Sequence, residues 1–179
     1  PVAARAYDRE RYEVRRLSVK ADDGALVPVT VTLRKGQELD GSAPLLMNAY
    51  GAYGISIDAA FHPAVIALVE QGFIHVIAHV RGGAERGTNW WRAALKQGKK
   101  KTFTDFIACA DHLVAAGYTS KGRIVAYGMS AGGLLVGAAY NMRPDLWAGV
   151  IAQVPFVDVL TSIEHYQDHP LGTTPFPHW

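Results

Sequence analysis

Gly128-Met129-Ser130-Ala131-Gly132-Gly133 decides the fold of this chain. The apolar run Ile124-Val125-Ala126-Tyr127 precedes it, and the apolar, helix-length run Leu134-Leu135-Val136-Gly137-Ala138-Ala139 follows. That order predicts a strand, a tight turn and a helix, with Ser130 at the apex. Gly128 and Gly132 suit a bend too sharp for neighbouring Cβ atoms. A hydroxyl held there stands clear of the sheet, and the helix N-terminus behind it favours developing negative charge.

Outward from the bend, strands and helices alternate. Tyr12–Lys20 and Leu26–Leu33 read as strands around Asp22-Asp23-Gly24, a hairpin signal. A short buried strand, Pro44–Asn48, leads into Tyr50-Gly51-Ala52-Tyr53-Gly54. Pro63 fits the first turn of a helix running to Gln71, with Gly72 as its stop. Phe73–Val80 is nearly continuous apolar sequence, as in a strand covered on both faces, and Arg81–Gly87 is a glycine-rich loop. Thr102-x-x-Asp105 has the form of a capping box, before Phe106, Ile107, Ala110 and Leu113 at helical spacing and a stop at Gly117. Arg123–Tyr127 and Gly149–Phe156 complete the strands. The alternation implies an α/β class with a doubly wound, mostly parallel sheet. Ser130, Tyr50 and Arg81 each follow the C-terminal end of a strand, so they should share the ligand-binding edge.

The chain has 179 residues, enough for one domain with a real core. A net charge of +2 makes no case for nucleic acid. The one basic cluster, Lys99-Lys100-Lys101 with Lys96, reads as a solvated edge. The single cysteine, Cys109, has no internal disulfide partner, lies on an apolar helical face and favours a reducing, cytoplasmic setting. No run approaches the ~18 apolar residues of a membrane span.

Strand, G-x-S-x-G and helix together form the nucleophile elbow of α/β-hydrolases. A serine hydroxyl needs an adjacent base, usually His held by a carboxylate, and donors aimed at the oxyanion. The Ala131 N–H is the expected first donor, and the Tyr50 phenol, from the loop after the third strand, the second. In this fold the acid and the His follow the Ser, yet only 49 residues follow Ser130. They contain Asp158, Asp168, His165, His169 and His178, but have room for one helix, one strand and a tail. His165 and His169 with Glu164 and Asp168 read as polar surface rather than a metal cluster, so neither metal nor cofactor is expected. His75 and His79 flank strand residues and read as packed or hydrogen-bonded.

Several motifs in order resemble the prolyl oligopeptidase family of serine peptidases, nearest its oligopeptidase B branch. They are Tyr50–Gly54, Ser56-Ile57-Asp58, His79-Val80-Arg81-Gly82-Gly83, Gly128–Gly133, Arg143-Pro144-Asp145-Leu146 and Val150–Asp158. The resemblance implies a β-propeller beside an α/β-hydrolase domain. On that reading residues 1–11 are the linker from a propeller, and 12–179 are an incomplete, N-terminal part of the peptidase domain. It implies cleavage of short peptides, after Arg or Lys in the oligopeptidase B branch. Ser130 matches the nucleophile, Tyr50 and Ala131 the oxyanion hole, and Asp58 and Arg81 substrate-binding positions. The family's Asp and His have no counterpart, so the chain alone is expected to be inactive; the alternative readings are an esterase or acylaminoacyl-type hydrolase and a non-catalytic fragment or binding domain. Its remaining parts would be the propeller and C-terminal portion of the same enzyme. Three departures stand out: Ala84 and Arg86 interrupt the glycine-rich loop, Ala60 replaces a second acidic subsite residue, and Pro175-Phe176-Pro177-His178 replaces an acidic stretch before Trp179. Carboxylates form bidentate pairs with Arg, whereas Pro and His do not.

Overall fold

The computed structural model describes residues 7–162. Their strands are β1 (Tyr12–Lys20), β2 (Leu26–Arg34), β3 (Leu45–Asn48), β4 (Ile74–Ala78), β5 (Ile124–Met129) and β6 (Trp147–Gln153). They form one sheet in the order β1-β2-β4-β3-β5-β6. β1 and β2 make the expected hairpin, and β2 joins β4 antiparallel. The pairs β3–β4, β3–β5 and β5–β6 are parallel. The helices are α1 (Pro63–Glu70), α2 (Thr88–Arg92), α3 (Lys100–Ala115) and α4 (Ala131–Met142). Pro63 opens α1 as expected, whereas the short α2 lies within sequence that carries no helical period. β6 is displaced from its expected span, because the backbone leaves the ladder at Val154, where φ is 38°.

Strand alternation sorts the core. Ile74, Val76 and Ala78 of β4 join the main core with Phe106, Leu113 and Leu135 of α3 and α4. His75 and Ile77 turn the other way, toward Val65 and Leu68 of α1. All five β4 residues are buried, so their run is apolar without alternation except at His75. Along α3, Phe106, Cys109, Ala110 and Leu113 have no exposure, and Phe106 stacks on Trp147 with ring centroids 5.5 Å apart. Cys109 is a packing residue whose thiol pKa is raised by burial, then by Asp105.

The capping box is corrected by the structure. Thr102 and Asp105 lie inside α3, whose N-cap is Lys99 and makes no side-chain cap bond. Both side chains point inward, toward Arg81. A Thr–Asp pair three residues apart shares a helix face whether that face meets the helix end or the core. No helix among the described residues is long and apolar enough to cross a membrane.

Candidate active site

Ser130 sits between β5 and α4 with φ 54° and ψ −116°. A non-glycine residue there is strained, and the surroundings hold it in place. Its N–H donates to the Gln153 carbonyl at 3.0 Å, and its carbonyl accepts from Phe156 N–H at 3.0 Å and Gly133 N–H at 2.9 Å. The end of β6 therefore clamps the bend. A Cβ on Gly128 would collide with the Gly132 carbonyl oxygen, so the bend closes only on glycine. Ala131, 1% exposed, is the first residue of α4, where a backbone N–H has no intrahelical acceptor.

The Tyr50 loop packs directly against this helix start: a Cβ on Gly132 would lie 3.5 Å from the Tyr50 Cα. Tyr50 and Ser130 side chains interact. The Tyr50 pKa is raised, first by burial and then by Tyr53, with Ser130 acting in the opposite direction. The phenol thus keeps its proton and can donate it. Tyr50, Ser130 and Ala131 meet as their positions after β3 and β5 demand.

Arg81 has a different placement. It is 5% exposed, and its guanidinium donates to Asp105 and Asp23. Those bonds raise its pKa, with Asp105 the largest contributor. The expected substrate-binding side chain lies beneath the site as a tie between the hairpin, the Arg81 loop and α3. Its carbonyl accepts from Thr102 Oγ1 at 2.8 Å. Next to it, Gly82 has φ 103°, and a Cβ there would strike the Gly51 carbonyl oxygen. The loops bearing Arg81 and Tyr50 are therefore in backbone contact.

Lys99 shares in this support, which the lysine run concealed. Lys96, Lys100 and Lys101 are exposed as expected, but Lys99 is partly buried and its Nζ donates to the Gly51 carbonyl at 2.6 Å. Burial lowers its pKa to about 8.

Asp58 is exposed on the rim of a cleft of about 370 Å³ that Ile57, Phe61, Leu68, His75 and Tyr127 help to line. No histidine among the described residues hydrogen-bonds to Ser130. His79 bonds to Thr30 and Arg16, His75 lines the cleft, and His62 precedes α1. Asp158 accepts from the Thr161 N–H at 3.1 Å. Glu164, His165, Asp168, His169, residues 175–178 and Trp179 lie outside the described residues, as do residues 1–6 of the expected linker.

A sheet ending in a nucleophile elbow beside a tyrosine-bearing loop defines an α/β-hydrolase catalytic scaffold. The family profile described as "Prolyl oligopeptidase family" matches residues 59–176. The chain belongs to the prolyl oligopeptidase family. It is 42% identical over 174 residues to dipeptidyl aminopeptidase BI of Pseudoxanthomonas mexicana, covering 97% of this chain and 24% of that protein. It is 42% identical over 173 residues to protease 2 of Moraxella lacunata, covering 97% and 25%. Oligopeptidase B from Trypanosoma brucei, solved with covalently bound antipain, superposes with a TM-score of 0.90 at 40% identity, covering 97% of this chain and 24% of that one. The chain thus spans about a quarter of the length of these relatives.

Proposed function

We propose that this chain supplies the nucleophile and oxyanion-binding half of a serine peptidase that hydrolyses short peptides. One observation carries the reading: Ser130, at a positive-φ apex, interacts with the Tyr50 phenol at the start of α4. In the reaction, Ser130 Oγ attacks the scissile carbonyl carbon and gives its proton to a base. The carbonyl oxygen becomes an oxyanion held by the Ala131 N–H and the Tyr50 hydroxyl. Collapse expels the amine, which takes up the proton, and leaves an acyl ester on Ser130. Water then attacks the ester, releasing the carboxylate product and regenerating the hydroxyl. The base and its orienting carboxylate are assigned to sequence outside this chain, as is the propeller. A cytoplasmic site of action is part of the same proposal.

A fluorophosphonate probe tests it. The protein expressed from its complete reading frame should be labelled at Ser130, and Ser130→Ala should abolish labelling. The 179-residue chain alone should label weakly or not at all, because the alkoxide scarcely forms without a base. Absence of labelling in the complete, folded protein rules the proposal out.

For specificity, we propose that Asp58 receives a basic side chain of the peptide, with cleavage after Arg or Lys. Its exposed carboxylate at the cleft rim supports this, while Ala60 and Pro175–His178 leave fewer carboxylates than the family pattern has. A panel of Arg, Lys and neutral peptides, acylaminoacyl peptides and simple esters separates this from an esterase or acylaminoacyl hydrolase.

A further inference from the structure

The residues leading to Asp58 are held from below at two points. The Gly54 N–H donates to the Gly82 carbonyl at 2.9 Å. Three residues later the Ile57 N–H donates to Glu85 Oε1 at 3.0 Å. Asp58 follows immediately, and α1 does not begin until Pro63. The Glu85 contact is therefore the last tie before the Asp58 carboxylate.

Glu85 is an unusual residue to place there. Its side chain is only 9% exposed, and its Oε2 makes no hydrogen bond. A carboxylate in that position is costly unless charge or dipoles compensate it. His79 faces it, with Nδ1 close to the carboxylate but not hydrogen-bonded to it. Arg16 Nη1 lies 2.8 Å from His79 Nε2, and a guanidinium N–H can only donate. Nε2 therefore accepts, and the ring proton belongs on Nδ1. Nδ1 lies 3.5 Å from Glu85 Oε1, the oxygen that holds Ile57. Thr30 Oγ1, 2.8 Å from Nε2, braces the ring from β2. A surface cation, a buried imidazole and a buried carboxylate thus stand in a row, and the carboxylate's one hydrogen bond among the described residues goes to the backbone before Asp58.

We propose that Glu85 is a positioning residue for substrate recognition: it fixes the Ile57 amide and thereby sets where Asp58 meets the basic side chain of a peptide. This rests on the reading of Asp58 given above. Ile57 to Ala would leave the bond intact, so the informative position is the acceptor.

The test uses the protein expressed from its complete reading frame and two peptides that differ only in a basic or neutral side chain at the residue Asp58 would meet. Asp58→Asn alone tests the underlying reading and should raise KM for the basic peptide only. Glu85→Ala should do the same, by about tenfold, the worth of one charge-assisted contact, with kcat nearly unchanged. Glu85→Gln, which keeps an acceptor for the Ile57 N–H, should recover the discrimination. Glu85→Ala added to Asp58→Asn should have no further effect on it. If Asp58→Asn matters and Glu85→Ala does not, the positioning role is overturned and the Asp58 reading stands. If Asp58→Asn leaves discrimination intact, both fall. An equal loss of kcat with both peptides marks Glu85 as merely structural and overturns the proposal. Should Glu85→Ala fail to fold, Glu85→Asp, which withdraws the carboxylate by one methylene, is compared with Glu85→Gln: loss of discrimination in Asp alone supports the role, and equal behaviour of the two overturns it.

Discussion

Arg81 and Asp105 are joined by three hydrogen bonds across 24 residues of sequence: the Arg81 N–H and Nε donate to Oδ2 at 3.0 and 2.9 Å, and Nη2 donates to Oδ1 at 2.6 Å. Asp105 has no exposure, whereas the second partner, Asp23, keeps 46% of its side chain in water. Asp105→Ala should therefore cost roughly 3–5 kcal/mol, because it strands the buried Arg81 N–H and leaves the guanidinium with only the half-exposed Asp23. Asp23→Ala should cost about 1 kcal/mol or less. Denaturant unfolding of the two variants measures the difference, and equal losses would contradict the burial argument.

On the proposed reading, Tyr50→Phe removes one oxyanion donor without changing the ring. It should lower kcat by about 10²-fold with little change in KM, since the bond strengthens only as charge develops. Steady-state kinetics on a short peptide ester and amide provide the check. A change confined to KM would make Tyr50 a substrate-binding residue instead.

His75 gives the fold a pH dependence. Burial, then the charge of His62, lowers its pKa to about 4, against roughly 6.5 in an unfolded chain. Between those values the unfolded chain binds a proton that the folded chain does not, so stability falls as pH drops from 6.5 toward 4. Above that window His75 is neutral in both states and contributes no slope. The full effect is on the order of 3 kcal/mol. His75→Gln should flatten the stability profile in this window alone, as followed by thermal unfolding at a series of pH values.

The outer edge of β6 has no strand beside it among the described residues, and Ile151, Val154 and Val157 nearby are 51%, 73% and 60% exposed. Unpaired backbone beside apolar side chains recruits other strands. The 179-residue chain on its own should self-associate as its concentration rises, and Ile151→Lys should reduce this. Sedimentation velocity across a concentration series decides the matter. A soluble, cooperatively unfolding monomer at all concentrations would refute it.

The elbow was legible because its constraints are local: two glycines, a serine and the apolar runs on either side fix strand, bend and helix within 16 consecutive residues, 124–139. The mostly parallel sheet followed from the same alternation, and β4 from a nearly continuous apolar run. What stayed hidden depends on distant partners. Arg81 reads as a polar residue at a strand end, yet Asp23 and Asp105 that occupy it lie 58 and 24 residues away. Lys99 looked like one solvated lysine among several, because nothing in a lysine run tells which side chain finds a carbonyl. Thr102 and Asp105 carried the spacing of a cap, and only the packing of α3 shows that this face turns inward.

Where Gly82 touches Gly51, two backbones meet with no side chain between them to absorb a displacement. The Arg81 loop and the tyrosine loop therefore press directly on one another. A change that shifts Arg81, or either carboxylate gripping it, is therefore expected to displace the Tyr50 loop from a distance. If the proposed chemistry holds, its rate should then respond to substitutions on the far side of the hairpin, which no inspection of the reacting groups would nominate.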